Sequence, residues 1–240
     1  MLKKALLVGA ASLAMAGGAR AADIIEPTAY DWTGPYIGLQ GGYAWGDNDV
    51  SIDEGPAPAI ALDAVILDPP EDGSIDMDGF VGGAHAGYNF QADSIVFGLE
   101  GDIEYADLSG DTDIFSSTTA PEPFGSVEQE INWLASLRLR LGFAMDRALF
   151  YATGGLAVGE VDMKVTADGR DDDTDTPWGW TIGGGLEYAF TDDLSARIEY
   201  RYTDLGDTDF TVSGIGLDGA QVNFENTFHA VRAGLSWHFN

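Results

Sequence analysis

The sequence predicts an all-β fold: an eight-stranded antiparallel up-and-down transmembrane β-barrel with short periplasmic turns and long acidic extracellular loops. Three observations carry this. The chain opens with an export segment, and it then shows eight stretches of period-two alternation whose connections are short and long in strict turn. Its last residues, Phe228–Asn240, put Val231, Ala233, Leu235, Trp237 and Phe239 on one face and Arg232, Gly234, Ser236 and His238 on the other. An exported chain closing on such a strand folds against lipid as well as water.

The export segment comes first. Lys3 and Lys4 give a positive start, Ala5–Ala16 is the apolar core, and Ala19-Arg20-Ala21 has the small-x-small form cleaved after Ala21. The core is too short for a spanning helix of about 20 residues. The expected division is therefore a signal peptide at 1–21, a periplasmic N-terminal segment at 22–34 and an outer-membrane barrel domain at 35–240. Removing 1–21 takes away three of the 11 basic residues and none of the 40 acidic ones, so the formal charge moves from −29 to −32. That surface repels nucleic acid, and no DNA or RNA role is expected. With 12 Phe, 9 Tyr and 6 Trp the chain is too aromatic to be disordered, and without cysteine it has no disulfide or thiolate chemistry.

The expected strands are 35–46, 79–90, 94–105, 130–144, 148–163, 177–190, 194–205 and 227–239. Three connections are tight, at 91–93, 145–147 and 191–193. Four are long and rich in Asp, Gly, Pro, Ser and Thr, at 47–78, 106–129, 164–176 and 206–226. This rhythm puts both termini on the short-turn side. In 130–144, Trp133, Ala135, Leu137, Leu139, Leu141 and Phe143 oppose Asn132, Ser136, Arg138 and Arg140. The same alternation sets Ile198 and Tyr200 against Arg197, Glu199 and Arg201, and Leu99 and Ile103 against Glu100, Asp102 and Glu104. Five of the eight mature basic residues thus sit mid-strand. Arg138, Arg140, Arg197, Arg201 and Arg232, with Glu100, Asp102, Glu104, Glu187 and Glu199, are expected to form an ionic network in a narrow lumen.

Aromatic residues are expected in two girdles. Trp32, Tyr36, Tyr88, Phe90, Phe97, Phe143, Phe150, Tyr151, Tyr188, Phe190, Trp237 and Phe239 belong to the periplasmic one. Trp45, Phe80, Tyr105, Trp133, Trp178, Trp180, Tyr200 and Tyr202 belong to the other. The mid-strand glycines Gly82, Gly83, Gly87, Gly154, Gly155 and Gly183–Gly185 are read as relief of crowding on the inner wall.

Other motifs carry less. Gly214–Gly219 fits G-x-G-x-x-G but lies in a loop without the strand and helix that a dinucleotide site needs. Asp171–Asp175 opens like a calcium loop, yet Thr176 and Ile182 replace the required Gly and Glu. These carboxylates, with the Asp-x-Asp pairs at 76, 111 and 207, read as a solvated acidic rim. The alternative is weak Ca²⁺ or Mg²⁺ capture shared with lipopolysaccharide. His85 and His238 fall on polar faces and His229 on the apolar one, without metal spacing. No convergent base and nucleophile is visible, so no catalytic residue, cofactor or resident metal is assigned and the protein is not read as an enzyme.

With these residues placed, the chain resembles small OmpA-like outer-membrane proteins, the 25–31 kDa surface immunogens of the porin family. Tyr30–Tyr43 (YDWTGPYIGLQGGY) resembles the family's opening, and Tyr151–Ala157, Trp180–Tyr188 and Val231–Phe239 resemble its fifth, sixth and eighth strands. The resemblance implies an eight-stranded barrel in the Gram-negative outer membrane, inserted by the barrel-assembly machinery with lipopolysaccharide as neighbour. Some members are reported to bind haemin, but no ligand residue carries over. Asn240 follows the aromatic that normally ends such chains, and no peptidoglycan-binding domain is expected after the barrel. The expected role is structural and surface-displaying, with loops that contact lipopolysaccharide or external ligands. The alternatives are a porin-like passive channel, a haemin-binding surface protein and, more distantly, a secreted lipocalin-like barrel.

Overall fold

A sheet that meets hydrocarbon on its outer face has no water with which to satisfy an open edge, so its first and last strands must pair. In the computed structural model of the protein they do. The described residues are 30–53, 65–68, 74–116, 125–167, 169–211 and 221–239, and they contain ten strands and no helix. The strands are β1 (Gly34–Asp53), β2 (Val65–Asp68), β3 (Ser74–Ala92), β4 (Ile95–Ser116), β5 (Gly125–Met145), β6 (Ala148–Ala167), β7 (Gly169–Asp175), β8 (Trp178–Ala189), β9 (Leu194–Thr211) and β10 (Gln221–His238). Eight of them close in the order β1-β3-β4-β5-β6-β8-β9-β10, each antiparallel to its neighbours, and the seam aligns Ile37 with Trp237 and Leu39 with Leu235. Residues 1–29, the Gly214–Gly219 motif and Asn240 lie outside the described residues.

All eight expected strands are present, and seven run further than their alternation does. β1 continues to Asp53 and β4 to Ser116, well into the stretches read as loops. The reason is physical. Alternation needs one apolar outward face, whereas pairing needs only the backbone, so the ladder continues past the last apolar outward position. Asp171–Asp175 therefore lies in the extended strand β7, paired with β6, and not in the compact loop that a calcium site of that type needs. β7 also keeps the register of β8 against β6, with Val161 opposite Asp175 and Val158 opposite Trp178. The two are one strand interrupted at Pro177, which has no N–H to give.

The wall changes character at one level. Register shifts fall between Tyr105 and Leu108, between Ile131 and Trp133, and between Glu225 and Thr227. Opposite the last of these, Gly206 takes a left-handed φ of 77°, and its carbonyl accepts from the Asn226 side-chain Nδ2 at 3.0 Å. The β8–β9 ladder ends just there, at Trp180 and Asp204. At the opposite end, two of the tight turns carry Asp93 and Asp146 at φ 54° and 52°, the left-handed conformation that aspartate tolerates.

Outward positions are apolar and bare: Leu39 is 70% exposed and Leu139 69%. Most of the expected aromatics face outward at the two rims, but Trp32, Tyr36 and Tyr151 do not. They are buried at 0%, 1% and 6% exposure, inside the barrel at its short-turn end. An aromatic near a rim can serve the girdle or the interior, and here strand parity decides. The glycines divide in the same way. A Cβ on Gly83, Gly87, Gly155, Gly183 or Gly185 would press on the crowded inner wall, whereas Gly82, Gly154 and Gly184 lie on outward positions.

The interior has three layers. A polar middle is capped at the loop end by an apolar cluster that includes Met77, Val81, Leu108, Ile131, Leu134, Val161, Leu205 and Phe228. At the other end Tyr30, Trp32, Val96, Leu149 and Tyr151 form a second cluster. Residues 30–33 lie across that end as a strap touching all three tight turns. The Tyr30 amide donates to the Asp146 carbonyl (3.2 Å) and its hydroxyl to the Asp192 carbonyl (3.0 Å). The Trp32 amide donates to Gln91 Oε1 (2.8 Å), and the Gln91 amide returns a bond to Thr33 Oγ1 (3.1 Å). Trp32→Ala is expected to cost about 3–5 kcal/mol, read as a lower urea midpoint of the refolded protein in vesicles.

Candidate functional site

Between the two apolar layers the inward positions of β4, β5, β8, β9 and β10 bring ten charges together, five guanidinium groups against five carboxylates. On β4, Glu100, Asp102 and Glu104 succeed one another at period two. Arg138 and Arg140 do so on β5, and Arg197, Glu199 and Arg201 on β9. Arg138 is the hub: it pairs with Glu100, with Asp102 (2.9 Å) and with Glu199 (2.9 Å), and donates to Thr153 Oγ1 at 3.0 Å. Arg201 holds Glu199 (2.8 Å), Asp102 (3.1 Å) and Glu104 (3.4 Å). Arg232 grips Glu104 with two bonds of 2.9 Å, Arg197 pairs with Glu100, and Arg140 pairs with Glu187.

No member of this set is exposed beyond 3% at its side chain. In so dry a space a lone charge is costly, and the equal number of each sign keeps the layer neutral. Neutral polar groups add further bonds, while Arg138 Nε, Arg140 Nε, Arg232 Nη1 and Glu199 Oε2 have no partner among the described residues. Tyr36 Oη donates to Glu100 (2.7 Å), Gln40 to Glu104 (2.8 Å) and Ser136 to Asp102 (2.6 Å). Ser195 and His238 Nε2 reach Glu187, the latter at 3.3 Å. The Arg140 guanidinium also lies 3.8 Å from the centre of the Tyr151 ring. The structure thus places all ten expected lumen residues in one connected layer. Ser136 and His238 were legible from inward parity. Tyr36, Gln40 and Tyr151 carried the same signal, masked by their size or neutrality.

The family model for the outer membrane protein beta-barrel domain matches residues 8–239. The chain belongs to that family. It is 33% identical over 256 residues to the 31 kDa outer-membrane immunogenic protein of Brucella melitensis, covering 98% of this chain and 100% of the relative. It is 41% identical over 132 residues to the 22 kDa outer membrane protein of Rhizobium leguminosarum, covering 55% and 56% of the two chains. Among solved structures it is similar to the outer membrane protein OprG from Pseudomonas aeruginosa, with 16% identity, a TM-score of 0.47 and coverage of 86% and 97%.

In barrels of the outer membrane short turns face the periplasm and longer connections face outward. The ionic layer is closed to bulk water, with side chains exposed by 3% at most. Its ion pairs join β4, β5, β8, β9 and β10 across the lumen. Glu104→Gln would leave the Arg232 guanidinium with half a partner in a buried layer, at a cost of about 3–5 kcal/mol. Adding Arg232→Met is expected to recover most of that loss in the same urea titration, since the charge left behind is then gone.

Proposed function

We propose that the protein is a closed, non-conducting barrel that serves envelope integrity and surface display, its outer wall and acidic protruding strands lying against lipopolysaccharide. The observation that carries this reading is the filled cross-section: an apolar layer, a neutral ionic layer and the Trp32 layer succeed one another along the lumen. Eight strands leave an interior only about wide enough for side chains, while barrels with an aqueous channel use about 16–18.

On the same reading, export ends with cleavage after Ala21, the barrel-assembly machinery inserts the chain, and residues 22–34 remain periplasmic. The acidic rim meets lipid phosphate through shared Ca²⁺ or Mg²⁺, because carboxylates alone would repel it. The immunogenic character named for the Brucella relatives fits a protein displayed at the surface. Planar-bilayer recording of refolded protein is expected to show no steady open level. A long-lived conductance in the wild type that survives alanine at Arg138, Arg140, Arg197 and Arg201 would establish the passive channel instead.

A further inference from the structure

One histidine is not in the lumen. His229 occupies an outward position of β10, in line with Val231, Ala233, Leu235, Trp237 and Phe239. Ten residues of strand at about 3.3 Å each, tilted by about 40°, rise roughly 25 Å, the height of the apolar band of such barrels. With Phe239 at the periplasmic interface, His229 therefore stands at the other one, where the head groups of the outer leaflet begin.

Its neighbours fix it there. Tyr200 Oη lies 2.7 Å from Nδ1, and the rings of Tyr202, Tyr200 and Trp45 are centred 5.0, 5.9 and 6.1 Å from the imidazole. When the Tyr200 hydroxyl donates to Nδ1, the ring proton sits on Nε2. In that tautomer Nε2, which has no partner among the described residues, is an N–H donor.

The rest of the wall makes this donor conspicuous. Five of the mature basic residues are consumed in the lumen, and Arg147 pairs with Asp192 at the periplasmic rim. Lys164 and Arg170 lie on β6 and β7, Lys164 six residues beyond the girdle-level pair Val158 and Trp178, about 15 Å further out. By backbone position, no lysine or arginine among the described residues shares the level of His229. Two carboxylates flank the position: Asp78, bonded to Tyr43 and paired across from Trp45, and Asp204, opposite Thr227 and bonded to the Gly206 amide.

We propose that His229, braced by Tyr200 and Trp45, docks a phosphate of the phosphorylated amino sugar of lipopolysaccharide through Nε2–H. This rests on the reading that the wall lies against that lipid. A divalent cation balances the remaining phosphate charge against Asp78 and Asp204, and the aromatic rings pack on the sugar face.

The test uses full-length wild-type, His229→Phe and His229→Gln proteins refolded with Mg²⁺ into phosphatidylcholine vesicles. These carry diphosphoryl lipid A, enzymatically dephosphorylated lipid A or phosphatidylglycerol. Lipid retained through detergent purification is counted by mass spectrometry, and heat-modifiable gel mobility confirms folding. Wild-type protein should favour diphosphoryl over dephosphorylated lipid A by about tenfold, the scale of one hydrogen bond to a charged group. His229→Phe should lose that preference and His229→Gln, whose amide still donates, should keep part of it. An undiminished preference in folded His229→Phe overturns the proposal and leaves the wall's contact with lipopolysaccharide standing. Equal retention of phosphatidylglycerol overturns the amino-sugar assignment. No retention of either lipid A by the wild type overturns the proposal together with the reading beneath it.

Discussion

Hydrocarbon offers no partner to a peptide group, and the rest of this molecule follows from that constraint. It forces β10 onto β1, and the resulting closure turns every second side chain of eight strands into one confined volume. A volume so narrow cannot hydrate isolated charges, so arginines and carboxylates placed there must neutralise one another or stay away. The outward positions face the opposite demand and carry leucine, isoleucine and aromatic side chains that water would not tolerate in such a continuous band.

What sequence shows and what it hides follow from the same geometry. Alternation is imposed wherever one face meets lipid, so the eight membrane crossings, their order and the facing of Arg138, Glu199 or Leu139 could be read directly. Past the outward apolar band the backbone still pairs, but in β4 the outward positions turn polar (Asp107, Ser109) while Ala106 and Leu108 stay buried, so the extension does not repeat the lipid-facing pattern. The apolar layer above the charges was hidden for another reason. Leu108, Leu134 and Leu205 are inward residues among outward residues of the same chemistry, and register shifts beside them blur the parity. Trp32 lay beyond any pattern, since its place depends on how a segment before the first strand folds back.

The wall is organised by height as much as by face. Register shifts, the left-handed Gly206 and the end of the β8–β9 ladder gather just beyond Trp45, Tyr105, Trp180 and Tyr202. Bulges bend strands and locally disrupt the ladder, and they gather at sheet edges and barrel rims. Their level therefore marks a rim just above the outward aromatic girdle.

The strap at the other end bears on the order of assembly. Tyr30 and Trp32 are bound by Asp146, Asp192 and Gln91, which lie in or beside three separate turns, and Trp32 packs against His238 near the end of the chain. None of these partners has its final position until the hairpins are joined and the last strand has arrived. The strap's contacts are thus complete only on a closed barrel, and it acts as a clasp across the short-turn end.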